Sequence, residues 1–358
     1  MNIWKKIWLE ARDTVKNIFD RKSEILYIVE KIDWAIYWDG VTLTDEFRKL
    51  GYRAAVRRTA RGARNKILHF GSAWTFVSEK GIKKPHVSNK IVLTAYYIEE
   101  RNPRLQFFSE VNKAVEMIHT SARKPKEILT THGIDVSKTV VIPLGIDLTF
   151  FPLGSEEKRT AVRKELGISE DAFVIGSFQK DGNGLGEGNT PKLIKGPDIF
   201  CDALQKLPEP QKTKVHILLA GPARGYVKKR LKEAGIAFTD LGFIDYHETA
   251  KYYHTLDCYV VASRAEGGPK ALLEAWATGV PLVSTDVGMV SDFLIDGANG
   301  LLVPVEDSEK IAECVLALMH DKDLRAKLVR EGFRSVQAFE NKKIATRYVN
   351  EIYKKIAK

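Results

Sequence analysis

The sequence predicts an α/β chain built as two Rossmann-like, doubly wound domains. Short apolar runs of strand length recur along it, most of them separated by helical stretches, which is the alternation that builds a parallel sheet with helices on both faces. At 358 residues the chain exceeds one comfortable core. The series also starts afresh after residue 147, so the boundary is expected near residues 147–155, between a first domain at 1–150 and a second at 151–338.

In the first series, residues 35–38 read as a short strand that meets Asp39-Gly40. A helix with Phe47 and Leu50 on its apolar face follows, stopped by Gly51. Apolar runs then place strands at 54–56, 67–70, 91–95, 114–119 and 139–143, with a helix at 123–131. In the second series a helix at 156–166 leads to a strand at 173–178, a glycine-rich loop from Gly182 to Gly188 and a helix at 198–207. Further strands are expected at 215–220, 258–262, 281–284 and 300–303. The chain ends in a helical pattern, 341–358, whose apolar positions Ile344, Val349 and Ile352 need a surface to bury them.

Composition narrows the function classes. No apolar run approaches the ~20 residues that span a bilayer. Residues 1–22 mix six cations with three acids and lack the apolar core and cleavage site of a signal peptide, so a cytoplasmic protein is expected. Cys201, Cys258 and Cys314 are odd in number and far apart, which suits buried reduced thiols. Residues 1–150 carry +9 of the net charge of +10, with 26 Lys and Arg against 17 Asp and Glu. Arg53, Arg57, Arg58, Arg61, Arg64 and Lys66 crowd into fourteen residues, a density that suits an anionic membrane surface or an acidic acceptor as readily as a solvated face. Nucleic acid is not an expected partner, because no aromatic-interleaved motif or groove-reading helix accompanies the charge.

The chemistry concentrates after the strand at 258–262, in Ser263-Arg264-Ala265-Glu266-Gly267-Gly268-Pro269-Lys270-Ala271-Leu272-Leu273-Glu274. Glu266 sits on the loop and Glu274 in the opening turns of a helix, so both can face one ligand. A carboxylate accepts from two vicinal hydroxyls at once, which suits a sugar or a ribose. Gly267 and Gly268 let the backbone come close, and the N–H groups of Lys270 and Ala271 at the helix start suit a phosphate; Pro269 has none to give.

This spacing, followed by Gly279-Val280-Pro281, Val287-Gly288 and Asn299-Gly300-Leu301-Leu302-Val303, resembles the signature of family 4 retaining glycosyltransferases, which have the GT-B fold. The resemblance starts near residue 35 and is strongest in 170–305. It implies an acceptor-binding first domain, a donor-binding second domain, a cleft between them, and a last helix, 339–358, that crosses back to the first domain. The implied reaction moves a sugar from a nucleotide diphosphate sugar, a substrate and not a cofactor, to a glycan, glycolipid or small-molecule acceptor.

The resemblance also assigns roles. Glu274 would hold ribose hydroxyls and Glu266 sugar hydroxyls. Lys195, in the pair Lys195-Gly196, and Lys180, where the family has Arg, would hold the diphosphate; with Glu266 they form the catalytic set. Gly40 takes the place of the family's first glycine loop. His69 stands at a strand end, and Tyr96 and Tyr97 stand where many relatives carry a His, so these three are cleft candidates. No metal is expected, because lysines and a helix N-terminus would neutralise the leaving diphosphate and no Asp-x-Asp triplet stands where a metal-dependent transferase needs one. The loop from Gly182 to Gly188 is expected to be a mobile cover over the donor phosphates. Two other readings stay open: a catalytically silent protein that binds sugar nucleotides or a membrane surface, and a dinucleotide-dependent oxidoreductase suggested by the glycines of that loop alone.

Overall fold

The structure, a computed structural model, describes residues 3–30, 35–184 and 186–357. It divides into two compact units, Met1–Leu144 together with Asn341–Lys358, and Gly145–Glu340. The main sheet of each has six strands, all parallel.

In the first unit the strands are β1 (Ile25–Ile28), β2 (Ala54–Arg57), β3 (Ile67–Phe70), β4 (Lys90–Thr94), β5 (Met117–Thr120) and β6 (Thr139–Val141). Their order is β2-β1-β3-β4-β5-β6. The expected strand at 35–38 is not one. Those residues open a helix, Ala35–Lys49, and the first strand is β1, an apolar run bounded by Glu24 and Glu30 and buried along its whole length. Gly40 therefore lies inside a helix and not in a glycine loop. A β-carbon there would stand 2.5 Å from Val29 Cγ1 and 2.9 Å from Tyr27 Cδ1, so this glycine serves the close packing of helix on strand. Ala114, expected to begin a strand, ends the helix Phe108–Ala114 instead.

The C-terminal segment belongs to this unit and covers one face of its sheet. It runs as a helix, Asn341–Tyr348, a π turn, Val349–Tyr353, and a last helical turn, Lys354–Ala357. Ile344, Tyr348, Val349, Ile352, Tyr353 and Ile356 are buried there against Tyr27, Leu43, Phe47 and Val92. The extra residue of the π turn brings Tyr348 and Tyr353 to one side, where each meets a buried histidine. Tyr353 Oη lies 2.6 Å from His69 Nδ1, whose Nε2 is 2.8 Å from Thr94 Oγ1. His119 Nε2 donates to the Ile142 carbonyl at 2.7 Å, which leaves Nδ1 to accept from the Tyr348 hydroxyl at 2.9 Å. Burial depresses both imidazoles, His69 well below its ordinary range and His119 to about 4, so both are neutral. His69 is a core residue, which removes it from the cleft candidates.

An N-terminal helix, α1 (Ile3–Phe19), packs beside β2 through polar contacts. Asn17 Nδ2 donates to the Thr59 and Arg61 carbonyls, each at 2.9 Å, and Asp13 Oδ2 accepts the Arg58 N–H at 2.8 Å. Part of the arginine cluster is spent on this joint. Arg57 bonds Asn17 Oδ1 at 3.0 Å and Asp20 Oδ2 at 2.9 Å, and Arg58 lies over the Tyr37 ring while donating to the Glu30 carbonyl. Arg61 and Arg64 remain at the surface, Arg64 beside His86.

In the second unit the strands are β7 (Phe173–Phe178), β8 (Val215–Ala220), β9 (Ala237–Asp240), β10 (Cys258–Val261), β11 (Leu282–Thr285) and β12 (Leu301–Val303). Their order, β9-β8-β7-β10-β11-β12, reverses between β7 and β10. In open α/β sheets the carboxyl ends of the strands at such a reversal are where ligands bind. Described residues on either side of the glycine-rich segment beyond β7 are tied by backbone hydrogen bonds. Asn183 and Thr190 pair backbone to backbone at 2.9 Å, Lys192 N–H donates to Asp181 O at 2.7 Å, and Gly225 and Tyr226 N–H groups donate to the carbonyls of Glu187 and Gly188.

Candidate functional site

The reversal brings Gln179-Lys180, just past β7, beside Ser263–Glu266, just past β10. A third segment joins them. The single 3-10 turn Leu193–Lys195 precedes Gly196, whose backbone is left-handed at φ 61°, and Pro197 then opens the helix Pro197–Gln205. This turn lies directly on the β10 end: the Arg264 N–H donates to the Ile194 carbonyl at 2.9 Å, and a β-carbon on Gly196 would stand 1.8 Å from the Ala262 carbonyl oxygen. Gln179 fixes the other side, its Nε2 donating to the Lys195 carbonyl at 3.2 Å.

The result is an ion pair between two of the expected residues. Lys195 Nζ donates to Glu266 Oε1 at 2.6 Å, and the buried Ser263 hydroxyl donates to the same oxygen at 2.8 Å. Sequence reasoning missed Lys192. Its ammonium is held below the usual lysine range by burial first, then by the neighbouring charges of Lys195 and Lys180, with Glu266 acting in the opposite sense. Three lysines and one carboxylate therefore share one electrostatic neighbourhood. The loop carrying Glu266 is braced by Arg264, which takes both Asp198 carboxylate oxygens at 2.8–2.9 Å and Glu306 at 2.6 Å.

Glu274 lies in the helix Lys270–Thr278 and is nearly buried. The Tyr253 hydroxyl donates to its Oε2 at 2.9 Å, and Tyr253 in turn stacks on Tyr259 at 5.2 Å and meets Phe178 edge-on at 5.0 Å. The hydroxyl of Tyr259 accepts the Phe178 N–H at 2.8 Å. An aromatic cluster thus links Glu274 to the end of β7, a connection the sequence did not reveal because Tyr253 comes from a separate helix. Gly267, Gly268, Lys270 and Ala271 occupy the loop and first turn between the two glutamates, with Lys270 Nζ 5.3 Å from the Tyr246 ring centre. The signature's Asn299 is structural: its carbonyl accepts from the Trp276 indole at 2.6 Å, which holds the helix of Glu274 on the sheet.

Beneath the β7 end lies a buried arginine that the sequence reading did not single out. Arg224, 2% exposed, donates to the carbonyls of Ser177, Gln179 and Ala220 at 2.7–3.1 Å and so ties the ends of β7 and β8 together. Asp181 lies 3.1 Å from it, its carboxyl raised to about 6 by burial, against which Arg224 works. In the first unit, Tyr96 and Tyr97 follow the carboxyl end of β4 and are half-buried, with the Tyr96 hydroxyl enclosed.

Residues 190–335 match the profile of the family described as glycosyl transferases group 1. This segment is similar to a group 1 glycosyl transferase domain. It contains Lys192, Lys195, Glu266 and Glu274, while Lys180 precedes it. Similarity extends beyond the domain. The chain is 29% identical over 259 residues to a D-inositol 3-phosphate glycosyltransferase of Geodermatophilus obscurus, covering 68% of this chain and 55% of that protein. It is 29% identical over 214 residues to the lipopolysaccharide core biosynthesis mannosyltransferase LpsB of Rhizobium meliloti, covering 56% of this chain and 57% of the other. The chain spans about half the length of the curated relatives it matches. Among solved structures, Anabaena HepE in complex with UDP and glucose superposes with a TM-score of 0.74 at 16% identity, over 92% of this chain and 99% of that one. WaaG, a glycosyltransferase involved in lipopolysaccharide biosynthesis, gives 0.68 at 13% identity over 92% and 99%. These likenesses are of fold, and the fold is GT-B: two Rossmann-like units in one chain.

Proposed function

We propose that the chain is a retaining, metal-independent glycosyltransferase whose group 1 domain binds a nucleotide diphosphate sugar. The observation that carries this reading is the convergence of Lys180, Lys192 and Lys195 with Glu266 at the reversal of the second sheet. Breaking the bond between the anomeric carbon and the diphosphate puts negative charge on the leaving phosphate and positive charge on the sugar. Preorganised cations at the first and carboxylate oxygens near the second lower the barrier. In this reading the lysines meet the diphosphate, so no metal is needed. Lys195 and Ser263 hold Glu266 through Oε1, and Oε2 accepts from sugar hydroxyls. Glu274, oriented by Tyr253, accepts from the ribose. The first unit takes the acceptor, a glycan, glycolipid or small molecule.

The nucleotide-sugar part of the proposal has support from HepE, whose complexes contain UDP, glucose and UDP-glucose. The test is nucleotide release from a panel of UDP-, GDP- and ADP-sugars, with and without excess EDTA, followed by determination of the product's anomeric configuration. Release that persists in EDTA with retained configuration is expected. Binding without release would mean a silent sugar-nucleotide protein, NAD(P) binding in place of sugar nucleotides an oxidoreductase, and full metal-rescued loss in EDTA a metal-dependent site.

A further inference from the structure

Helix α1 is inside out compared with an ordinary surface helix, which turns its apolar stripe to the core. Here Asp13 and Asn17, each 2% exposed, face the first unit, joined by Leu9. Trp4, Ile7, Trp8, Val15, Ile18 and Phe19, spaced to form one stripe, are each 52–77% exposed. A contiguous apolar patch of this kind, held outward by polar docking residues, marks an interaction surface.

Charge says what covers it. At 3.6 residues per turn Lys5, Arg12 and Lys16 fall in a row along one border of the stripe, and Arg21 and Lys22 follow its end. Arg12 lies 5.3 Å from the Trp8 ring centre. An independent feature adjoins the far end. Ile18 also lines an open cavity of about 1140 Å³, into whose wall come Arg21, Arg53, Arg64, Lys66, Lys90 and Lys354, against the acids Asp20 and Glu24. Two copies of the chain joined stripe to stripe with their helices antiparallel would bring like-charged rows together. A surface that presents acyl chains beneath anionic headgroups satisfies stripe and cations alike. Among the described residues no helix is long and apolar enough to cross a membrane, so such contact would be in the plane of the interface.

We propose that α1 lies in the headgroup layer of an anionic bilayer, with its tryptophans and Phe19 among the upper acyl chains and its basic border and neighbouring cavity against lipid phosphates. This surface is separate from the sugar-nucleotide reading and its test measures no transfer. The full chain is sedimented with vesicles of phosphatidylcholine alone and of phosphatidylcholine mixed with phosphatidylglycerol, across a salt series. Binding to the anionic vesicles that weakens with salt is expected. The variant Trp4→Ser/Trp8→Ser/Phe19→Ser should lose at least about tenfold in partitioning. Lys5→Gln/Lys16→Gln/Arg21→Gln should lose up to about fivefold per cation. All six side chains are exposed, so both variants should melt as the wild type does. The proposal is overturned if the wild type stays in solution with both vesicles, or if the aromatic variant binds anionic vesicles as tightly as the wild type. Dimerisation that the aromatic variant abolishes, without vesicle binding, would give the stripe to a second copy instead.

Discussion

At Gly196 the left-handed backbone and the 1.8 Å approach of a virtual β-carbon to the Ala262 carbonyl leave room for hydrogen alone. That is the physical content of the Lys-Gly pair: the glycine lets the turn lie on the β10 end, and the turn carries Lys195 to Glu266. Gly196→Ala should therefore destabilise the second unit by at least about 1–3 kcal/mol, since left-handed strain and a backbone collision add; a wild-type melting temperature would refute this account of the joint. Lys195→Ala tests the chemistry instead. It should depress kcat by on the order of 10²-fold with a smaller effect on donor affinity, the pattern of a group that acts on charge developing in the transition state. Lys192→Ala should act in the same direction but more weakly, because among the described residues no carboxylate is hydrogen-bonded to it. Wild-type kcat in Lys195→Ala would remove this lysine from the reaction. Lys195, Glu266 and Glu274 were legible in the sequence because each belongs to a spacing that a strand, loop and helix impose. Lys192, Ser263 and Tyr253 were not, since they join the site only through a turn, a hydroxyl rotamer and a helix that no spacing rule links to it.

Among the elements, the strands were the readable part, because a strand buried on both faces shows as a short, nearly continuous apolar run. Two strands of the main sheets escaped: β9, Ala237–Asp240, is half-exposed and shows no such run, and the other case is β1. β1 has that form, yet residues 35–38, with two aromatics before Asp39-Gly40, imitate a strand and glycine loop more closely, and only packing against Tyr27 and Val29 shows Gly40 to be a helix residue. The C-terminal segment was legible as an amphipathic helix, but its π turn was not, and that turn puts Tyr348 and Tyr353 on two neutral histidines. The pairing has a pH consequence. An imidazole kept neutral in the fold binds a proton more readily when unfolded, so its stabilisation is complete above the unfolded pKa and is lost as pH falls through the folded one. For His119 that window runs from 6.5 down to about 4, for a loss on the order of 3 kcal/mol at its acid end, and His69 adds to it. Denaturant midpoints measured between neutral pH and pH ~4 should fall accordingly, and His119→Asn, less stable at neutral pH, should show a shallower decline. A flat wild-type profile across that window would contradict neutral burial of these histidines.

For the whole molecule, connectivity makes the two units unequal. The second is one continuous stretch, Gly145–Glu340, whereas the first needs both ends of the chain. The second unit has its own core, from Phe173 and Ile175 through Val260 to Leu318 and Leu328, and residues from the separate C-terminal segment are absent from that cluster. The first unit instead buries Ile344, Tyr348, Val349, Ile352, Tyr353 and Ile356 from beyond residue 340. At about 1.5–3 kcal/mol for each large apolar side chain removed from water, these six are worth roughly 10 kcal/mol, comparable to the whole stability of a domain. Residues 145–340 produced alone should therefore fold cooperatively and retain nucleotide affinity, if the donor site is where Lys195 and Glu266 place it. A chain truncated after residue 340 should keep that transition while its first unit loses its own and exposes the sheet face that carries His69 and His119. Calorimetry on the fragment and on the truncated chain separates the two. A fragment 145–340 without a melting transition would show that the second unit depends on the first, and a truncated chain that melts as the full-length protein does would show that the C-terminal helix is dispensable to the core it covers.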